Sequence, residues 1–390
     1  EVPKVLMSET MFDKVRSRFD RRSLFMGAGL AVGGGLLAAC GRDTRCEVTI
    51  QDVSSASGLV ERRLRLFSWA NYSDPDVLDT WGDVDVVVYD SNEDLIRKLT
   101  AANGNGGFDV VAPSGQYIPE MARAGLLEKL DLDRLSNFSA LDPAVIDQPW
   151  DRGNRYSVCK DWGTTGWIYD SRVVTTPILT WSDFIAATQG PASGNTSLLD
   201  VAQNLGGLFF WANGIDWTDP SSGDLDALER FLLDDMAPHV KALDGSPSKY
   251  ATQNPYALSQ AWSGEIYLMK LALQEAGEDP SNFVWGVGAP ETELWMDNWA
   301  IVKGARHLDA AYDFIDFMLD PINGYRETLW NGSPTGQKGL EAMMPPDSAF
   351  IEDLFFSDDE IARMRQAKRT KHDDRLVEIF VAMRDKIDSD

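Results

Sequence analysis

The chain has 390 residues, 44% of them apolar and 25% charged, enough to bury the cores of two or more domains. Its 61 Asp and Glu outnumber 36 Lys and Arg, for a net charge of −25. Such a surface repels nucleic acid and anionic lipid and attracts cations, or else reflects a saline habitat. Three cysteines (Cys40, Cys46, Cys159) are too few and too scattered for a disulfide framework. His239, His307 and His372 have neither each other nor a cysteine nearby, so a zinc site or a histidine-based triad has no visible parts. No metal, cofactor or catalytic residue is therefore expected.

Residues 1–40 read as an export signal rather than as fold. Arg21-Arg22 precedes Ser23-Leu24-Phe25, and a glycine-rich, weakly apolar run from Met26 to Leu37 follows. That run is too short and too glycine-rich for a membrane span. It closes on Leu37-Ala38-Ala39-Cys40, which resembles a bacterial lipobox, so Cys40 is expected to carry lipid after twin-arginine export. Residues 41–60 are polar and Ser-rich, as in a flexible tether.

Order is predicted from Leu64, where Leu64–Trp69 alternates like a strand. Asp74-Pro75 opens a short helix, and Val84–Tyr89 is a β-branched run. Ser91 caps the next helix, with Asp94 three residues on, and Asn103-Gly104 stops it. Phe108–Ala112 is a third strand, and a helix over Ile118–Ala124 ends at Gly125. This β-α-β-α-β-α order implies a parallel sheet with helices on its faces. Ligands sit beyond the carboxyl ends of such strands, where Trp69 and Ser114 fall. The second half alternates in the same way, and a strand at Thr196–Leu199 leads to a helix that Asp200 could cap and Gly214 could end. Asp224–Lys241 is amphipathic, and Ala257–Trp262 precedes a helix opened by Ser263-Gly264-Glu265 and running to Ala276. Phe283–Val287 and Leu294–Ile301 are further strands, helices are expected near His307–Leu319 and Tyr325–Trp330, and a polar tail follows.

Leu294–Ile301 carries the most chemistry. Trp295, Asp297 and Trp299 put two indoles and a carboxylate within five positions. A π-face beside a fixed negative charge suits an organic cation. The same residues also describe a strand entering a core with both indoles packed.

Six segments recur in an order that resembles the spermidine/putrescine-binding proteins of bacterial ABC importers. They are Phe67–Tyr72, Tyr89–Glu93, Phe108–Ser114, Leu141–Pro143, Trp162–Thr165 and Trp295–Asp297, and the resemblance covers Leu64 to Gly336. It implies an α/β fold of two lobes, the type II periplasmic-binding-protein fold, with parallel-rich sheets covered by helices and joined by a crossing hinge. The expected division is 61–166 plus 300–336 for lobe 1, 167–299 for lobe 2, and 337–390 as a C-terminal helical tail. The chain crossings are expected near Gly163–Tyr169 and Asp297–Ile301, and the lobes would close on a ligand by hinge bending.

The resemblance further implies a non-enzymatic monomer that captures a small polyamine-like cation and delivers it to ABC permease subunits. Trp69, Tyr72, Ser114, Trp262, Trp295 and Asp297 match positions lining the polyamine cleft. Asn71 stands where the family usually has an acid, and Gln116 where spermidine binders can have Tyr. Val201 and Asn204 fall where acids are common, and Ser333 where a Tyr is common. Glu265 matches a carboxylate of some putrescine binders, though a first-turn acid also suits the helix dipole. Asp200 could substitute for a missing acid or merely cap its helix. With Asp297 and Glu265 as the two ammonium partners, a short diamine or single cation is expected over spermidine. The alternatives are the same fold holding a quaternary ammonium ion, an amino compound or a sugar, or a secreted glycoside hydrolase using paired carboxylates.

Overall fold

The computed structural model describes residues 62–102, 106–345 and 349–389. The twin-arginine pair, Cys40 and the tether lie outside them. Among the described residues, ten strands form one curled sheet, in spatial order β2 (Asp83–Val88), β1 (Arg63–Ser68), β3 (Val110–Val111), β9 (Thr292–Ile301), β4 (Ser157–Asp170), β7 (Leu258–Trp262), β5 (Thr196–Leu198) and β6 (Val240–Leu243), with β10 (Met364–Gln366) added on β9 and β8 (Phe283–Val287) on β4. The first lobe uses β1 (Arg63–Ser68), β2 (Asp83–Val88) and β3 (Val110–Val111), all mutually parallel around β1. The second uses β5 (Thr196–Leu198), β6 (Val240–Leu243) and β7 (Leu258–Trp262), again parallel, with β8 (Phe283–Val287) pairing antiparallel to β4.

Two long antiparallel strands run between the lobes: β4 (Ser157–Asp170) and β9 (Thr292–Ile301). Residues 157–164 of β4 pair with β9, and from Thr165 onward the same strand pairs with β7. The change of partner falls where β4 has small side chains. A Cβ on Gly166 would collide with the Gly286 carbonyl oxygen, so only glycine lets the two strands meet there.

Alternation along each strand supplies a core to both sheet faces. Leu64 and Leu66 join Trp81, Trp299, Phe314 and Ile315 on one face of lobe 1. Phe67 joins Tyr89, Leu95, Tyr117 and Ile118 on the other. In lobe 2, Trp167 packs with Trp181, Phe184 and Trp211, whereas its neighbour Ile168 packs with Ile266, Met269 and Phe283.

Two segments differ from the sequence expectation. The amphipathic stretch is a helix only over Ser222–Arg230, then a π-helical turn over Phe231–Met236, a short 3-10 turn and strand β6. Pro238 lacks the N–H that a continuing helix needs. The tail is not only helical: Met364–Gln366 forms β10, parallel to Thr292–Leu294. The final helix, Asp373–Ser389, buries Leu376, Ile379, Phe380 and Met383 in the lobe 2 core. Among the described residues no helix is long and apolar enough to cross a membrane.

Candidate functional site

The site is built on the β4–β9 ladder. Asp297 stands opposite Asp161, and Trp295 opposite Gly163. A Cβ at Gly163 would overlap the indole of Trp295, so the glycine makes the slot in which that ring lies. Like charges directly opposite one another destabilise a sheet. Asp161 and Asp297 are nevertheless both buried, so their surroundings must offset the repulsion.

A β-bulge does part of this. The register steps from Cys159–Asn298 to Asp161–Asp297, which leaves Lys160 as the extra residue. The bulge turns Lys160 inward, where its Nζ lies 2.7 Å from Asp161 Oδ2 and 3.0 Å from the Tyr72 carbonyl oxygen. The ammonium also sits 3.7 Å from the Tyr72 ring centre and 3.7 Å from Glu327 Oε2. Asn331 Nδ2 donates to the same Asp161 oxygen at 2.8 Å.

Tyr72 ties the two carboxyls together, its hydroxyl oxygen lying 2.5 Å from Asp161 Oδ1 and 2.6 Å from Asp297 Oδ2. A phenol has one proton and cannot donate to both. Burial and the two carboxylates hold its pKa well above the usual 10, so it keeps that proton. The second contact therefore needs a proton on a carboxyl. Asp161 already accepts from an ammonium and an amide, which stabilise its charge. Asp297 is served by the hydroxyls of Tyr72 and Ser114, and burial, then the charge of Asp161, push its pKa up to about 7. Burial and the charge of Asp161 thus favour the protonated form of Asp297, against the two hydroxyls that donate to it. Glu327, behind Lys160, is likewise raised to about 7, by burial above all.

Ser114 bridges to Asp297 along the backbone and exchanges hydrogen bonds with Asn92. Trp69 is half-buried beside them, its Nε1 donating to the Ala112 carbonyl at 3.2 Å and its ring packing 4.6 Å from that of Tyr89. Trp262 and Trp295 are also half-buried. Asn71 is exposed at a left-handed turn (φ 55°), a conformation in which Asn is well tolerated, and its carbonyl accepts from Trp330. Gln116 reaches Gln203 at 3.5 Å, a contact between the two lobes. Glu265 lies a turn beyond Trp262, where it accepts from the Ser248 N–H at 2.9 Å, and burial raises its pKa. Asp200 is exposed, and Ser333 is buried beside Gly264.

Sequence reasoning missed Lys160, Asp161, Glu327 and Asn331. Asp161 was within reach, since it directly precedes the Trp162–Thr165 segment. The inward turn of Lys160 had no sequence signal, because a bulge depends on the partner strand. Among the described residues no group of three or more His, Cys, Asp or Glu is placed to hold a metal ion. A surface hollow of about 360 Å³, lined by Arg62, Asn137, Asp313 and Asp316 among others, shares no residue with this cluster.

Residues 79–331 match the family described as bacterial extracellular solute-binding protein. The chain belongs to that family. It is 27% identical over 308 residues to spermidine/putrescine-binding periplasmic protein 1 of Haemophilus influenzae, covering 76% of this chain and 81% of that one. It is 26% identical over 314 residues to the spermidine/putrescine-binding periplasmic protein of Escherichia coli, with 78% and 86% covered. A solved structure described as a putative spermidine/putrescine ABC transporter from Listeria monocytogenes superposes with a TM-score of 0.73 at 27% identity, over 83% of this chain and 98% of that one. A buried carboxyl on the same strand face as a half-buried indole can pair with a positively charged organic group.

Proposed function

We propose that this solute-binding protein is the substrate-capturing lipoprotein of a polyamine-type ABC importer. It holds a small organic cation of the putrescine/spermidine kind between its lobes and hands it to permease subunits. The observation that carries the reading is Asp297, a buried carboxyl bridged by Tyr72 to Asp161 and flanked on its strand by Trp295. A protonated amine entering the cleft loses water, and needs a carboxylate or a π-face in exchange. A cation over an indole contributes about 0.5–2 kcal/mol, and each methylene sandwiched between rings about 0.8 kcal/mol. Together with a charge-assisted hydrogen bond at Asp297, these reach the roughly 8 kcal/mol of a micromolar binder. Trp69, Tyr72, Ser114 and Trp262 complete the wall, and Gln116 and Glu265 lie at its margin. The names of the relatives point the same way. Lobe 1 is assigned to 61–166 plus 300–336, lobe 2 to 167–299, with 337–390 as a C-terminal tail packing on the lobes.

A second reading has one observation in its favour. Trp295 Nε1 is buried and finds no acceptor among the described residues, so a ligand bearing both an amine and an oxygen acceptor would satisfy it. A thermal-shift panel of putrescine, spermidine, γ-aminobutyrate, glycine betaine and glucose decides between them, since a bound ligand raises stability as RT ln(1 + [L]/Kd). Stabilisation by the polyamines above γ-aminobutyrate is expected, the reverse order would favour the second reading, and a response to glucose alone would end both.

The anchor is tested separately. Arg21→Lys with Arg22→Lys is expected to strand the precursor in the cytoplasm, and Cys40→Ala to release the exported protein from the membrane fraction. Envelope-located, lipidated protein from the double Arg variant would show a different export route.

A further inference from the structure

The acid absent from position 204 has a counterpart on β9. Side chains alternate along a strand, so Glu293, Trp295 and Asp297 share one face. Asp161 and Gly163 stand opposite the last two, and Thr165 reaches the first through its hydroxyl, 3.1 Å from Glu293 Oε2. Glu293 is only 4% exposed. The same carboxylate oxygen accepts from Asn204 Nδ2 at 2.5 Å. Among the described residues no Lys, Arg or His lies within ion-pair distance of it. A buried carboxyl with two neutral donors and no counter-ion is costly unless it is protonated or meets a cation.

Its location supplies the cation. Asn204 lies in the first turn of the helix Ala202–Asn213, and the adjoining Gln203 touches Gln116 of the other lobe. The start of that helix therefore faces lobe 1 across the cleft, with the indole of Trp295 between Glu293 and Asp297 on β9. We infer that Glu293 is a second ammonium partner, so that the cleft takes a polyamine held at one end by Asp297 and at the other by Glu293, with its methylenes over Trp295. The inference rests on the cation-binding reading and extends it to ligand length. Four strand residues span roughly 13 Å. With each amine about 2.8 Å inside its carboxylate, the two nitrogens are on the order of 7 Å or more apart. That is beyond the reach of putrescine and within that of spermidine. It reverses the preference for a short diamine expected from Asp297 and Glu265 alone.

Calorimetric titration of the purified protein with spermidine and with putrescine tests this, for the wild type and Glu293→Gln. The wild type is expected to bind spermidine more tightly. Glu293→Gln should weaken spermidine about tenfold or more and putrescine by less than about threefold, collapsing the ratio of the two affinities. A purely structural Glu293 would weaken both ligands alike. Spermidine binding with an unchanged ratio in Glu293→Gln, or a wild type that prefers putrescine, overturns the inference and leaves the cation reading standing. A wild type that binds neither polyamine overturns both. Should Glu293→Gln fail to fold, Asn204→Leu removes the amide that positions the carboxylate without touching its charge. The ratio should then fall several-fold, and an unchanged ratio counts against Glu293.

Discussion

Replacing Asp297 with Asn is expected to weaken capture of an organic cation by about 2–5 kcal/mol, the loss found when a buried charged group is deprived of its partner. The same substitution should stabilise the empty protein at neutral and alkaline pH. Asp297 is raised to about 7 by burial and by Asp161, whereas a carboxyl in the unfolded chain titrates near 3.9. Between those values the folded state binds more protons than the unfolded one, so this group makes stability fall as pH rises from about 4 to about 7. Asparagine removes that penalty while keeping an oxygen and an amide near Tyr72. Melting temperatures of the ligand-free proteins at pH 5 and pH 8 check it. The variant's advantage over the wild type should be larger at pH 8 than at pH 5. A variant that melts well below the wild type at pH 8 would show that Asp297 is structural. Binding sites commonly hold such destabilising groups because function needs them.

Capture of a cation at Asp297 should release a proton. Burial and the nearby charge of Asp161 raise Asp297 to about 7, so below that pH its carboxyl holds a proton. An arriving ammonium takes its place. An aliphatic amine stays charged well past pH 7, as lysine does at about 10.4, so the pH dependence belongs to the protein. Affinity should rise about tenfold per pH unit below about pH 7 and level off above it. Titration calorimetry in two buffers of different ionisation enthalpy should report close to one proton released per ligand at pH 6. In Asp161→Asn the release should shrink, because the Asp161 charge that helps to raise Asp297 is then gone. Zero release at pH 6 in the wild type would mean that Asp297 is already ionised.

Much of this molecule was legible in the chain because it depends on neighbours in sequence. Alternation located β1, and Ser91 capped its helix by accepting from the Asp94 N–H. The indole–acid spacing of Trp295 and Asp297 singled out the strand that carries the site. The i, i+2, i+4 placement of Glu293 with them was equally readable. What hid its meaning was Asn204, which looks like a deleted acid until folding brings it to Glu293, 89 residues away. Other features have no sequence signature at all. β10 is three residues of unremarkable composition, made a strand by the edge that β9 offers to it.

The protonation of the site is the clearest case. Lys160, Asp161 and Asp297 are ordinary residues in the chain, and from the sequence Asp297 reads as a plain ionised acid. Only tertiary structure sets a bulge at Lys160, stands Asp161 opposite Asp297 and lowers one tyrosine hydroxyl between them. The sequence determines which charges exist and which strand face bears them. How many protons those charges keep is decided by burial and by the distance between carboxyls, and residues far apart in sequence acquire both only when the chain folds.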